Sequence, residues 1–381
     1  MVRVDVRPDL IRWAIKRSQK REELYRKFRN LSEWERGTVR PTLRQLEEFA
    51  KATATPFGYF FLPEPPEEVL PIPFFRTVER ERVQKPSPDL LETIYTLERR
   101  QEWMHEYLIE KGYEPLPFVG SAVLSDDPVE TAREMRRVLD LNEGWASRHR
   151  TWTGALRALQ DAAENAGIVV SVNSVVGTNN FRRLDPEEFR GFVLIDEYVP
   201  FIFVNGADAK AAQMFTLAHE LAHIWIGKSA VFDLRDLEPA DDPVERQCNR
   251  IAAEFLVPSE ELKSYWPEAR QEKSPLQAVA RKFKVSEIVA ARRALDLGLI
   301  DRETFFRFYR DSLGRERRAK REEDGGQYYY TQIRRLGRRF VETVVRAARA
   351  GDLLYHEAFR LTGIYGDTFE KLAARVSGER L

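Results

Sequence analysis

The sequence is poor in cysteine and histidine and has no long apolar run. One cysteine among 381 residues, Cys248, excludes an internal disulfide framework and a cysteine-rich zinc finger. No stretch approaches the roughly 18 consecutive apolar residues of a transmembrane helix, and the residues after Met1 lack the apolar core of a signal peptide. We therefore expect a soluble cytoplasmic protein without a membrane partner.

Opposite charges balance over the whole chain but are unevenly distributed. Lys and Arg number 61, as do Asp and Glu, so the formal net charge is zero. Residues 1–60 nevertheless carry 14 basic and 8 acidic residues, a local charge of +6. The balance argues against a protein that is basic throughout, whereas the basic N-terminal segment is compatible with a nucleic-acid partner.

The hydrophobic pattern predicts a mostly helical α+β protein. Runs of β-branched and aromatic residues at 168–172, 191–195 and 201–204 predict a small antiparallel sheet, with a hairpin between the last two. Composition divides the chain into four regions: a small all-α domain over 1–62, a proline-rich linker and helix over 63–125, a domain containing the sheet over 126–300 with a helix–turn–helix-like end, and a helical region of unassigned role over 301–381.

Two of the five histidines form the most specific motif of the sequence. His219 and His223 lie four residues apart, with Glu220 directly after the first, in a predicted helix over 209–226. Residues i and i+4 share one helical face, so both imidazoles can bind one Zn²⁺ ion. A carboxylate at Glu220 would lie beside the ion, where it can accept a proton from an activated water. The plainer interpretation is a chance pair, but burying these groups in an otherwise apolar helix is costly unless something satisfies them.

A catalytic zinc ion needs a third protein ligand and one open position. The candidates are Glu245 and Glu254, in the helix predicted to follow an acidic loop over 227–242. We favour Glu245, because Asn249 lies four residues later on the same face and can hydrogen-bond the far side of a ligand. Without the histidines, Glu245 would be read as a surface acid near a helix N-terminus.

Two segments, 215–223 and 245–258, resemble the ImmA/IrrE family of zinc metallopeptidases. The strand that ends at Asn205 also resembles the family's lead-in to its active-site helix, and the resemblance is close over about 165–300. It implies a zincin-like peptidase core.

The resemblance assigns a role to each residue of the motif. It implies that His219, His223 and Glu245 bind Zn²⁺ and that Glu220 is the general base. Cys248 stands where the family usually has alanine, and a thiol near zinc can respond to oxidation.

The function implied by the resemblance is the cleavage of a repressor or antitoxin-type protein encoded nearby. Glu220 would activate the attacking water and return its proton to the leaving amine, while zinc polarises the scissile carbonyl. The alternative is a DNA-binding transcriptional regulator, or the antitoxin component of a toxin–antitoxin system, in which the zinc fold is a scaffold.

The N-terminal domain resembles the Xre/Cro-type helix–turn–helix module often fused to this peptidase. Its basic charge favours DNA binding, for which Arg36 and Arg40 are the candidate residues. Only five residues separate Phe28 from Trp34, however, which is short for a recognition helix. DNA binding and a degenerate module used for protein contacts both remain open. The resemblance rests on residues 34–37, 40–42, 43–50 and 56–61.

Overall fold

The computed structural model describes residues 2–18, 20–68, 74–75, 86–232, 242–316 and 328–378. They fall into two units, one within 1–71 and 80–96 and the other within 72–79 and 97–381. Each unit has its own hydrophobic core. Among the described residues, no helix combines the length and apolar character needed to cross a membrane.

The first unit is helical. A capping box begins the helix Leu43–Ala52: the Thr42 side chain accepts a hydrogen bond from the backbone N–H of Gln45, whose side chain accepts one from the backbone N–H of Thr42. Phe28, Trp34 and Phe49 pack ring against ring in the core. The helices are α1 (Pro8–Ser18), α2 (Arg21–Lys27), α3 (Leu31–Arg36) and α4 (Leu43–Ala52), followed by a 3₁₀ turn at Phe57–Phe61 and by the start of α5 (Pro88–Glu110).

The second unit contains a mixed sheet covered by helices. Its strands are β1 (Phe74–Phe75), β2 (Val169–Asn173), β3 (Val175–Val176), β4 (Asn179–Arg183), β5 (Gly191–Leu194), β6 (Phe201–Asn205) and β7 (Ala230–Phe232). Five of them form one sheet in the order β1-β7-β5-β6-β2, and β3 and β4 form a separate hairpin. The predicted α+β class is confirmed.

The pairing within the sheet differs from the antiparallel arrangement expected from the sequence. The β5–β6 hairpin is antiparallel as predicted. However, β2 pairs parallel with β6, and β1 pairs parallel with β7. The sequence missed these pairs because parallel partners are distant along the chain and no short turn signals them. All residues of β2 and β6 are buried, as is typical of parallel strands.

Aspartate and serine caps begin several helices of the second unit. Side chains of Asp127, Asp242 and Ser286 accept hydrogen bonds from the first turns of α6, α9 and α12. These helices and their neighbours are α6 (Pro128–Val138), α7 (Trp152–Asn165), α8 (Lys210–Ile226), α9 (Pro243–Leu256), α10 (Ser259–Ala269), α11 (Pro275–Phe283), α12 (Glu287–Asp296), α13 (Arg302–Glu316), α14 (Tyr328–Leu336), α15 (Arg338–Ala350), α16 (Tyr355–Thr362) and α17 (Gly366–Val376).

The predicted acidic loop over 227–242 is described only in part. Its first half contains β7, a strand that the sequence pattern did not indicate, and residues 233–241 lie outside the described residues. Much of the predicted proline-rich linker after residue 68 also lies outside them.

Gly191 allows α8 to pack closely against the sheet. A Cβ atom at this position would lie 2.5 Å from Thr216 Cγ2 on α8 and 2.8 Å from the carbonyl oxygen of Phe203 on β6. Any larger residue would therefore push the helix away from the strand. The strand position that faces Thr216 and Glu220 must remain without a side chain.

We expect Gly191→Ala to lower the free energy of unfolding by about 1–3 kcal/mol, because the added methyl group overpacks a buried contact. Urea denaturation measures the change. Gly58→Ala is the control, since a Cβ at Gly58 meets no atom within 4 Å. Equal stability of the two variants would contradict the close approach of α8 to β5.

Candidate metal centre

Helix α8 carries His219, Glu220 and His223 into the interior of the second unit. All three residues are fully buried. The neighbouring side chains of α8 from Leu217 to Ile226 are buried as well, so the helix has no solvent face over this stretch. Polar groups in such surroundings need partners that compensate for lost water.

The two imidazoles meet the carboxylate of Glu245 from α9. The Nε2 atoms of His219 and His223 are 3.0 Å apart. Glu245 Oε2 lies 3.1 Å from His219 Nε2, and Glu245 Oε1 lies 3.1 Å from His223 Nε2. A metal ion can be held by three or more His, Cys, Asp or Glu side chains that lie close together. Within the described part of the chain, these three residues form such a group.

The outer nitrogen of each imidazole faces an oxygen. Asn249 Oδ1 lies 3.0 Å from His219 Nδ1, and the Lys228 carbonyl oxygen lies 3.0 Å from His223 Nδ1. Because both oxygens accept hydrogen bonds, each Nδ1 carries the proton and donates it. The Nε2 lone pair of a neutral imidazole is then directed at the centre of the triangle.

The electrostatics of this triangle require a cation. Burial lowers the pKa of His219, which favours the neutral imidazole. Burial opposes ionisation of Glu245, and its pKa lies below the usual range only when positive charge on His219 and His223 faces the carboxylate, a role that a bound cation takes over when both imidazoles are neutral. Acceptor atoms thus converge on one buried point without protons between them. At metal–ligand distances of about 2.0–2.1 Å, tetrahedral zinc separates its ligand atoms by roughly 3.3 Å, close to the spacing observed.

Glu254, the other candidate ligand, has a different role. Its Oε2 pairs with the Arg293 guanidinium, and its Oε1 accepts hydrogen bonds from the backbone N–H and hydroxyl of Ser259 at 2.9 and 3.0 Å. Arg293 also donates to the Val257 carbonyl at 2.9 Å. Glu254 therefore joins α9 to α10 and α12 and does not face the histidines.

Glu220 lies next to the triangle rather than within it. Both of its carboxylate oxygens are buried and have no hydrogen-bond partner among the described residues. Burial, together with the nearby charge of Glu245, raises its pKa well above the usual range. A carboxylate in this setting has a high affinity for a proton, which suits a group that takes one up from a reactant.

The structure adds two positioning features that the sequence did not reveal. Gly227 ends α8 in the left-handed conformation at φ 76°, and the following carbonyl, of Lys228, then faces His223. Gly191 places β5 against Glu220, with the ideal Cβ 3.4 Å from Glu220 Oε1. A glycine directly after a helical pattern is a C-cap signal that could have marked the end of α8, but no local signal indicates that the Lys228 carbonyl contacts His223.

Cys248 does not support the expected response to oxidation. The thiol is fully buried, and burial raises its pKa well above the usual range. Oxidation proceeds through the thiolate, so a protonated and inaccessible thiol reacts slowly. In this structure Cys248 is a small core residue of α9.

Arg36 and Arg40 lie on the surface of the first unit. Arg36 ends α3, and Arg40 lies in the turn before α4, where its guanidinium is 3.3 Å from the carboxylate of Asp5. Helix α3 has six residues, fewer than two turns. A helix of this length is short for a recognition helix, and both the helix–turn–helix assignment and DNA binding by these arginines stay predictions.

Removing a triangle side chain should abolish zinc binding. We expect the wild-type protein to hold about one ion per chain after dialysis, and the variants His219→Ala, His223→Ala and Glu245→Gln to hold a small fraction of that. Elemental analysis by mass spectrometry measures the content. Glu254→Gln is the matched control: it should keep its zinc, but lose about 3–5 kcal/mol of unfolding free energy because Arg293 is left buried and unpaired. Zinc loss in this control, with zinc retained in Glu245→Gln, would reverse the assignment.

Asn249→Ala should weaken zinc binding without removing a ligand. Loss of the hydrogen bond to His219 Nδ1 frees the imidazole to rotate, and we expect an affinity lower by about 10–100-fold. Competition with a chromophoric chelator measures the constant. Asn249→Asp, which preserves the acceptor, should retain tight binding; equal weakening in both variants would argue against a hydrogen-bond role.

Comparison with known families places the site within a recognisable segment. Residues 163–295, about a third of the chain, match the family described as IrrE N-terminal-like domain (Peptidase_M78). Residues 336–375 match a domain of unknown function (DUF8813). A search of curated proteins gives no match. The helix–turn–helix expected near the N-terminus is not among the matched segments. The match over 163–295 contains every residue of the triangle and supports a metallopeptidase of the ImmA/IrrE type.

Proposed function

We propose that the protein is a zinc-dependent endopeptidase that cleaves a repressor or antitoxin-type protein. The observation that carries the proposal is the buried triangle of His219, His223 and Glu245 with the carboxylate of Glu220 beside it. Zinc in this position would polarise a scissile carbonyl and acidify water. Two histidines and one glutamate leave a fourth position for substrate, as is usual in catalytic rather than structural zinc sites.

Groups of the protein would transfer the proton and orient the zinc ligands. Glu220 accepts the proton of the attacking water and delivers it to the leaving amine nitrogen, so one carboxylate acts first as base and then as acid. Asn249 and the Lys228 carbonyl hold the imidazoles in the tautomer that leaves Nε2 unprotonated. The apolar surroundings of α8 limit bulk water and strengthen electrostatic interactions at the site.

The class of substrate rests on the resemblance to the ImmA/IrrE family. It favours a DNA-binding repressor or an antitoxin-type protein encoded near this one. A partner of this kind would be cleaved as a switch, which does not require high turnover.

DNA binding by the first unit is a second candidate function. Residues 1–60 carry a charge of +6, and both Arg36 and Arg40 are exposed. The six-residue α3 argues against deep insertion into a major groove. In this alternative the protein is a transcriptional regulator or antitoxin component, and its zinc site is a scaffold.

Glu220→Gln distinguishes the two functions. It removes the base but not a ligand, so we expect unchanged zinc content and a rate of partner cleavage lower by about 10²–10⁴-fold. Incubation with the purified product of each neighbouring gene, followed by mass spectrometry of the fragments, measures cleavage. Glu260→Gln, at an exposed position of α10, is the control. Cleavage that persists in Glu220→Gln or under a zinc chelator would refute the mechanism, and regulation that persists without cleavage would favour the scaffold.

A further inference from the structure

The segment that joins α8 to β7 supplies a hydrogen-bond acceptor to one of the histidines. The Lys228 carbonyl oxygen lies 3.0 Å from His223 Nδ1. Gly227 turns the chain in the left-handed conformation at the end of α8, and β7 begins two residues after Lys228. The direction of this one carbonyl therefore decides whether the imidazole of His223 is held in its orientation.

The pairing of β7 with β5 offers the Lys228 carbonyl a different hydrogen-bond partner. The two strands pair antiparallel as far as Val193, which lies opposite Ala230. Two more residues in the same register place Ile195 opposite Lys228. In a regular antiparallel ladder, two facing residues whose N–H and carbonyl groups point at each other exchange hydrogen bonds. Continuation of the ladder would thus direct the Lys228 carbonyl at the N–H of Ile195.

A serine hydroxyl accepts this hydrogen bond instead. The Ile195 N–H points towards β7, where it donates to Ser229 Oγ at 2.9 Å. A hydroxyl oxygen accepts a hydrogen bond as a carbonyl oxygen does, so the N–H is satisfied one residue away from its register partner. The Lys228 carbonyl is thereby left to His223. Because Ile195 continues a strand and His223 lies on the helix packed against the sheet, a carbonyl well aimed at one donor is poorly aimed at the other.

The turn that carries Ile195 is fixed from both sides. Before it, the Leu194 carbonyl accepts a hydrogen bond from Gln101 Nε2 at 2.8 Å. After it, the Glu197 carbonyl accepts one from the Leu116 N–H at 2.6 Å. These donors come from α5 and from the loop that follows it, so the N–H of Ile195 stays in place whatever side chain residue 229 carries.

We propose that Ser229 is a positioning residue of the zinc site. By accepting the Ile195 N–H, its hydroxyl keeps the Lys228 carbonyl on His223. This keeps the proton on Nδ1 and directs the Nε2 lone pair at the metal. Without the hydroxyl, the N–H of Ile195 draws the carbonyl into the β5–β7 ladder and away from the imidazole. The inference rests on the zinc site of the proposed peptidase and does not depend on cleavage of a partner protein.

The zinc affinity of the full-length chain, measured by competition with a chromophoric chelator, tests the proposal. Ser229→Ala should bind zinc about 10–100-fold more weakly than the wild type, because the outer hydrogen bond of His223 is lost. Ser229→Thr, which retains the hydroxyl, should restore the wild-type affinity. Ser171→Ala is the matched control, since it removes a hydroxyl that donates to the Arg335 carbonyl at 2.6 Å from β2 of the same sheet. Its zinc affinity should equal that of the wild type.

Hydrogen exchange in the zinc-loaded protein, followed by NMR, distinguishes a shift of the carbonyl from a loss of stability. In Ser229→Ala the Ile195 amide should stay protected, because it then donates to the Lys228 carbonyl. The Nδ1 proton of His223 should exchange faster than in the wild type. A serine that only stabilises the fold would instead give faster exchange at Ile195 and an unchanged zinc affinity.

Three results would overturn the proposal while leaving the zinc site intact: wild-type zinc affinity in Ser229→Ala, equal weakening in Ser229→Ala and Ser229→Thr, or loss of protection at Ile195 with the His223 proton unchanged. Absence of zinc binding by the wild type would overturn the zinc site and this inference together. The wild-type measurement therefore separates a failure of the proposed function from a failure of the role of Ser229.

Discussion

Three acceptor groups directed at one buried point constrain the rest of the second unit. His219, His223 and Glu245 face one another at 3.0–3.1 Å without protons between them. Such an arrangement is repulsive in a low-dielectric interior and becomes favourable only when a cation occupies its centre. The fold therefore has to hold α8 and α9 at a fixed separation, and metal binding and folding free energy are coupled.

Several weak interactions from distant parts of the chain hold α8 in place. Gly191 permits its contact with β5. At its C-terminal end, the backbone N–H groups of Gly120 and Ala122 donate to the carbonyls of Ile224 and Trp225 at 2.9 and 2.8 Å. These bonds satisfy carbonyls that a helix end leaves without internal partners. The helix that carries three functional side chains is thus fixed at its middle and its end.

Hydrogen bonds join the C-terminal helices to α7 and to α8, the helix that carries the histidines. Gln213, in the first turn of α8, donates to the carbonyls of Gly206 and Asp208 and accepts from Arg334 of α14. Glu164 of α7, buried and with its pKa raised by burial to about 7, accepts the Arg339 backbone N–H near the start of α15. Contacts made by α14 therefore reach the beginning of α8.

Local rules were enough to predict the helix that carries the histidines and the β5–β6 hairpin. Each of these depends on periodicity or on a short-range hydrogen bond, which neighbouring residues specify. The i and i+4 spacing of His219 and His223 likewise places two ligands on one face of any helix that contains them. The preference for Glu245 over Glu254 used the spacing to Asn249, and the observed His219–Asn249 contact has the geometry that this preference required.

Long-range contacts decided what local patterns did not contain. The parallel pairing of β2 with β6 joins strands about thirty residues apart in the chain, and β7 pairs with β5 across the whole of α8. Glu254 and Glu245 are equally plausible ligands by residue type, and the contacts with Arg293 and Ser259 show that the Glu254 carboxylate binds other groups. The sequence by itself determined which side chains could bind and activate, because ligand chemistry and helical spacing are local. The tertiary structure decided which of them converge, because convergence depends on packing between elements far apart in the chain.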